Sequence, residues 1–412
     1  MRIAITGASG FIGRRLVPHL AQNGYDLLLL GRDPKTLKAL FPDHPCTNYD
    51  GLDAALVGVE SVVHLAAMLP DRKQSDEVFV EANVALTQRL IDVCRRAGVA
   101  HIINIATLGW KQGKKHNAYS RTKKQAEGLL HEVEFASVAT LRLPAVYDDE
   151  GRAPYRGGLA MLNWVPGPAQ GSSKGFAKRF AFDVVSSLRP TVSLSTVVVA
   201  LDAALSKPHG TYEVLVSNGQ KNNRTYAVFK RLMDLVGVVL LLGLAGWLMV
   251  VIAIVIRLKD GSPVMFRQVR LGRDQRPFPL YKFRTMVQGT PNRATHETPQ
   301  SAVTSEGRVL RKTKLDELPQ IINIARGELS FVGPRPGLPN QTELREAREH
   351  QGVFEAFPGL TGLAQIEGID MRDPNTLAQK DAQYIALRSV ILDLKLIFRT
   401  IWKAKDMLLR RP

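Results

Sequence analysis

Asp316 and Glu317 stand side by side in a run crowded with cations, after Arg308, Arg311, Lys312 and Lys314. Adjacent carboxylates can hold a divalent cation, and Mg2+ is the usual one where phosphates are handled. One carboxylate can instead attack phosphorus and form an aspartyl phosphate. The neighbouring Arg and Lys suit a diphosphate, whose charge they would bind and neutralise. A charged pair at a helix N-terminus is the plain alternative. A second set lies far upstream. Tyr119 and Lys123 are spaced i, i+4, so they share one helical face. A lysine that close lowers a phenol's pKa, letting tyrosine exchange a proton with a sugar hydroxyl or carbonyl. Thr107, just after a strand, could bond the same oxygen.

A phosphate site of another kind opens the chain. Gly7, Gly10 and Gly13 follow the short strand Ile3-Ala4-Ile5 and begin a helix. Such a turn lets the backbone approach a pyrophosphate at the helix N-terminus. The second strand ends Leu30-Gly31-Arg32-Asp33. Arg32 suits the 2′-phosphate of NADP, whereas an acidic residue there would bond the ribose of NAD. NADP(H) is favoured, with NAD(H) left open by Asp33.

These residues need positioning. Further strand candidates are Asp26–Leu30, Ser61–His64, Ile102–Ile105 and Ala139–Leu143. Helical patterns lie between them around Arg14–Gln22, Val80–Ala97 and Ala118–Val133. That alternation predicts an α/β fold, a Rossmann-like doubly wound parallel sheet. Leu235–Ile256 is then 22 residues without a charge. At ~1.5 Å per residue it reaches about 33 Å, enough for a bilayer core. Its flanks are both basic, which predicts a membrane-inserted, re-entrant helix that enters and leaves on one face. No proline lies between Asp234 and Ser262; Gly243 and Gly246 would permit a bend, and a fully spanning helix is the alternative. Tyr384–Trp402 alternates apolar and basic residues as an amphipathic, interfacial helix would. The domains expected are 1–220, 221–260 and a small mainly α catalytic domain over 261–412.

Composition agrees. Of 412 residues, 45% are hydrophobic, which excludes wholesale disorder. Two cysteines, Cys46 and Cys94, exclude a disulfide scaffold and fit a reducing compartment. The net charge of +17 asks for an anionic partner. Basic residues at an anionic leaflet account for it more simply than nucleic acid, for which no recognition helix or aromatic-interleaved basic patch is visible.

The motifs TGASGFIG (6–13), HLAA (64–67), YSRTK (119–123) and LRLPAVY (141–147), with Asp50, Asn83 and Thr107, resemble the extended short-chain dehydrogenase/reductases. That resemblance implies Gly7, Gly10 and Gly13 at the pyrophosphate, Asp50 near the adenine, Ala66 beside the cofactor, and Thr107, Tyr119 and Lys123 as catalytic residues. The lobe left for a sugar is shorter than usual, and Asp148 stands where glycine usually follows VY. Downstream, KFRTM (282–286), LRKTKLDELPQ (310–320) and SFVGPRP (330–336) resemble the bacterial sugar transferases, the monotopic phosphoglycosyl transferases, from about Lys230 to Lys403. This second resemblance implies transfer of a phosphosugar from a UDP-sugar to undecaprenyl phosphate, with release of UMP. Asp316 would be the nucleophile, Glu317 its partner near Mg2+, and Lys282, Arg284, Arg311 and Arg335 would sit at phosphates or support the dyad. It also implies a bacterial inner-membrane protein at the cytoplasmic face. Both halves handling UDP-sugars suggests a coupled sequence: 4-keto reduction to a 6-deoxy-HexNAc, then transfer in surface glycan synthesis, O-antigen or exopolysaccharide among the products. The alternative is a transferase with a non-catalytic, nucleotide-binding or regulatory N-terminal domain. A second copy of the chain, as a homodimer, is a further candidate partner.

Overall fold

The strands foreseen in the first half form because each is a short run of Val, Ile and Leu that helices cover from both sides. The computed structural model describes residues 1–68, 75–108, 118–148, 173–206, 210–290 and 302–409. Within them β1 (Arg2–Thr6), β2 (Asp26–Leu30), β3 (Cys46–Thr47), β4 (Ser61–His64), β5 (His101–Thr107) and β6 (Ser137–Leu143) appear in order. β7 (Ala145–Tyr147) and β8 (Thr191–Ser193) pair by themselves, and β9 (Gly210–Leu215) returns to the main sheet. That sheet is parallel, in the order β3-β2-β1-β4-β5-β6-β9. Ile3 and Ile5 face one core with helices Gly13–Gln22 and Leu194–Ser206, while Ala4 faces the other with helix Leu86–Ala97. Alternate residues of one strand therefore enter opposite cores, which is the doubly wound arrangement expected. The strand order reverses at β1 and β4, and the crevice beyond their carboxyl ends is where such sheets bind ligands.

The helix expected over Val80–Ala97 starts earlier, at Asp76, and carries a π-helical stretch at Glu81–Ala85. There the Thr87 hydroxyl donates to the Asn83 carbonyl at 2.6 Å, diverting a backbone acceptor from the helical ladder. The short sugar lobe expected after Gly151 falls partly on 149–172, outside the described residues.

The chain divides into two compact units, residues 1–186 with 190–219, and 187–189 with 220–412. The second begins with one uninterrupted helix, Arg224–Lys259, capped by Asn223, whose Oδ1 accepts from Tyr226 N at 3.0 Å. At 36 residues it is about 54 Å long. The bend that Gly243 and Gly246 would permit does not break it. Packing explains it: Tyr226, Asp234, Val238, Ile252 and Ile256 form one buried stripe at helical spacing, so one face lies on the rest of the unit near both ends. The other face, with Val239, Leu244, Trp247, Val250 and Leu258, stays exposed.

Against this helix pack an antiparallel hairpin, β10 (Met265–Leu271) and β11 (Pro277–Phe283), and helix Ile321–Arg326. β12 (Ser330–Val332) and β13 (Gly359–Thr361) make a short parallel pair. The C-terminal helix Val390–Leu409 is anchored by Asp393, which is fully buried and accepts from Tyr226, Lys230 and Tyr384. Its outer face exposes Leu394, Phe398, Ile401 and Trp402.

Candidate functional site

In the second unit, helix Ser305–Thr313 ends at Lys314, whose φ of 57° turns the chain back into a 3-10 helix, Leu315–Gln320. That turn carries Asp316 and Glu317. The hairpin supplies the cations: cross-strand partners share a face, so Gln268, Arg270, Lys282 and, one step beyond β11, Arg284 all point to one side. Arg335 follows β12 in a loop locked by its glycine. A Cβ on Gly333 would lie 2.3 Å from the Phe357 carbonyl oxygen. The Gly333 N–H donates to Thr361 O at 2.9 Å, which aims Arg335 at the dyad.

These groups line one cavity of about 850 Å3. Asp316, Glu317, Lys282, Arg284, Arg311 and Arg335, all singled out in the sequence, meet there. Their roles differ. Lys282 Nζ and Arg335 Nη2 both donate to Glu317 Oε1, at 2.7 and 3.0 Å. Burial pushes the Glu317 carboxyl up, but Arg335 and Lys282 outweigh it and bring it down to about 2. Asp316 is 8% exposed, and its carboxyl takes a backbone hydrogen bond from its own residue. Burial raises its carboxyl above the ordinary range, against the opposing pull of Lys282. Arg311 Nε donates to Thr285 Oγ1 at 2.9 Å. Arg284 Nη2 holds the carbonyls of Asp260 and Gly261 just past the long helix, at 2.6 and 2.9 Å.

Among the described residues no cluster of three or more acidic, His or Cys side chains forms a ready metal cage. Mg2+ needs none, since it is usually held by one or two carboxylates with phosphate and water. Asp316 and the unbonded edge of Glu317 fit that donor set. Gln268 and Arg270 also line the cavity and were not singled out. The signal was there: they follow Phe266 at every second position, alternating with Arg267 and Val269, so strand periodicity puts them on the face that carries Lys282 and Arg284.

In the first unit Gly7 has φ +69°, and a Cβ there would sit 2.8 Å from the Ala66 amide. A Cβ on Gly13 would lie 2.4 Å from the Ala8 oxygen. Both approaches need glycine. Ala66, expected beside the cofactor, is thus against the turn, and its N–H donates to Thr6 Oγ1 at 3.1 Å. Asp33 caps helix Pro34–Leu40, accepting from Lys35 N at 3.0 Å and from the Thr36 hydroxyl. Arg32 beside it is exposed. Tyr49, which sequence reasoning passed over, lies in the field of Arg32 and within reach of the Gly7 backbone. Asp50 is exposed and joined to Asn48. Thr107 closes β5, and Tyr119 and Lys123 ride on helix Ala118–His131. Burial raises Tyr119 to about 12 and lowers Lys123 to about 8. The expected lowering of the phenol by its lysine neighbour is thus reversed: loss of water around the phenolate dominates.

Asn83 ties this helix to the turn. Its Nδ2 donates to Thr122 Oγ1 at 3.0 Å, and its Oδ1 accepts from Met68 N at 2.8 Å.

Comparison with known proteins follows the same division. Residues 225–406 match the model of the bacterial sugar transferase family, and residues 3–153 that of the NAD dependent epimerase/dehydratase family. A sugar transferase described as uncharacterized, EpsL of Bacillus subtilis, is 41% identical over 180 residues, 43% of this chain and 87% of the relative. The chain belongs to the bacterial sugar transferases. A second member is the UDP-glucose:undecaprenyl-phosphate glucose-1-phosphate transferase of Caulobacter vibrioides, 38% identical over 42% of this chain and 68% of its own. For the remainder, a solved UDP-glucuronic acid 4-epimerase from Bacillus cereus in complex with NAD is 20% identical. It covers 53% of this chain and 77% of its own, with a TM-score of 0.41. In this transferase the family match begins inside the long helix and takes in the whole cavity.

Proposed function

We propose that this sugar transferase moves a phosphosugar from a UDP-sugar to undecaprenyl phosphate, releasing UMP, at the cytoplasmic face of the bacterial inner membrane. The observation that carries this is the Asp316–Glu317 dyad inside a cavity lined by guanidinium and ammonium groups. Asp316, which unlike Glu317 is not clasped by Lys282 and Arg335, serves as the nucleophile. Lys282 and Arg335 hold Glu317 ionised at every pH of interest and fix its orientation. Arg284 and Arg311 meet phosphate oxygens, which low local dielectric makes strong contacts. Mg2+, held by Asp316 and Glu317, would neutralise diphosphate charge. The exposed apolar stripe of the long helix and the outer face of the C-terminal helix rest in the bilayer surface. Packing of one face of the long helix on the same unit near both ends supports a placement with both ends on one side, in keeping with the basic flanks.

The first unit, in this reading, binds NADP(H) and reduces a 4-keto UDP-sugar to a 6-deoxy-HexNAc before transfer. Asp33 is committed as a helix cap, which leaves Arg32 to read a 2′-phosphate. The cofactor would supply the hydride. Glycines 7, 10 and 13 would cradle its pyrophosphate. Tyr119, Lys123 and Thr107 would handle the proton at the sugar oxygen. One chain carrying both steps keeps the intermediate at high local concentration.

The test is UMP release by detergent-solubilised protein given undecaprenyl phosphate, Mg2+ and UDP-4-keto-6-deoxy-GlcNAc, with and without NADPH. Release that needs NADPH and disappears in Asp316→Asn supports the whole sequence. Release without NADPH removes the reductive step. NADPH oxidation lost in Tyr119→Phe separates an active first unit from a binding module.

A further inference from the structure

A second, much smaller cavity lies at the end of the 3-10 helix that carries the dyad. Its volume is about 10 Å3, room for one atom-sized guest and too little for a phosphate. The hairpin supplies Arg270, Leu280 and Lys282 from one face, the loop after β12 supplies Arg335, and Gln320 ends the 3-10 helix against them. Gln320 is only 4% exposed, yet its side-chain amide has no hydrogen-bond partner among the described residues. Arg270 bonds Gln268 Oε1 at 2.6 Å and Pro336 O at 3.2 Å, and its Nε is buried without a partner. Both residues line the same small hole. A buried donor left unmade costs free energy until something accepts from it. Charge points the same way. Three cations line the hole, and among the described residues Glu317 is the one carboxylate hydrogen-bonded to any of them. It answers Lys282 and Arg335, whereas Arg270 meets only carbonyl oxygens. Burial, and after it the like charge of Arg335, bring Arg270 down to about 10.

We propose that this small cavity binds a single monatomic anion, chloride, held by Arg270 and Gln320. A water would fill the space but would leave the surplus positive charge as it is, in an interior where unpaired charge is expensive. A chloride accepts from several N–H groups at once and supplies the missing negative charge. Phosphates and carboxylates, several atoms wide, are excluded by size. The anion serves the fold around the dyad. Lys282 and Arg335 line both this cavity and the large one, so chloride shares the charge that Glu317 otherwise balances alone. Gln320 contributes the neutral donor, and a carboxylate in its place would do the anion's work from within the chain. The site is independent of what the large cavity transfers, so its failure leaves the transferase reading untouched.

Thermal unfolding of the full-length protein in detergent tests this, with sodium chloride exchanged for sodium gluconate at constant ionic strength. Mass action makes the midpoint flat at low chloride and linear in its logarithm once the site fills. Each tenfold beyond that point should raise the midpoint of the second unit by about 3–6 °C. Bromide should act as chloride does. Gln320→Glu should abolish the chloride response and, in gluconate, unfold no lower than the wild type. Gln320→Leu should abolish the response without that gain. Crystals of the full-length protein soaked in bromide should show its anomalous scattering between Arg270 and Gln320. A wild-type midpoint indifferent to chloride, or a response that survives unchanged in Gln320→Glu, would overturn the proposal. So would a bromide-soaked crystal with only a water in the small cavity.

Discussion

Replacing Glu317 by Gln keeps the side chain's shape and removes only its charge. In the wild type that carboxylate is 16% exposed and receives Lys282 and Arg335 on one oxygen. Its pKa falls from 4.5 to about 2 on folding. At ~1.4 kcal/mol per unit this is about 3 kcal/mol of stability. The sign is that of a depressed acid: the contribution is complete above pH ~4.5 and is lost as pH falls toward 2. Glu317→Gln should therefore cost up to about 3 kcal/mol at pH 7, since the half-buried Lys282 and the more exposed Arg335 lose the counter-charge they share. For a unit of this size that is a drop of about 6–12 °C in Tm. Differential scanning fluorimetry in a fixed detergent at pH 7 reads it. Adding Lys282→Met to Glu317→Gln should cost less than the two separate losses summed, because the second change removes a cation already stranded. A Glu317→Gln midpoint within about 2 °C of wild type would refute the reasoning, because the clasp would then be worth no more than a surface pair.

Four further expectations follow from other parts of the chain. Lys314→Gly should hold or raise stability by up to about 1 kcal/mol, because glycine accepts φ 57° freely, whereas Lys314→Val should lose 1–2 kcal/mol or more; urea midpoints separate them. Gly7→Ala should abolish NADPH binding, read by nicotinamide fluorescence, while UMP release from a finished UDP-sugar continues. Asn223→Ala should cost about 1 kcal/mol through loss of the cap on the long helix, read by thermal unfolding. If the first unit reduces sugars with Lys123 protonated, kcat/KM for NADPH oxidation should fall as pH rises through about 8, the value to which burial lowers that ammonium.

What the amino-acid order determines by itself here is local. The glycine turn after Ile3–Ile5, the i, i+4 spacing of Tyr119 and Lys123, the uncharged run Leu235–Ile256 and the adjacency of Asp316 and Glu317 all lie within a few turns of chain. Strand and helix periodicity over such distances is set by side-chain type, so the parallel sheet was legible too. Tertiary structure decided the rest. Lys282 meets Glu317 across 35 positions, and Arg335 reaches it from a loop held by β13. Neither pairing follows from local preference. Arg270 joins the site through the register of a hairpin, and one step of register would turn it to the opposite face. The long helix runs unbroken with one face packed near both ends, a fact about packing that Gly243 and Gly246 could not announce. Asp33 becomes a cap and Arg284 a brace for the end of the long helix for the same reason. A polar side chain's role is fixed by which unsatisfied group lies nearest in space, and only the folded chain says which that is.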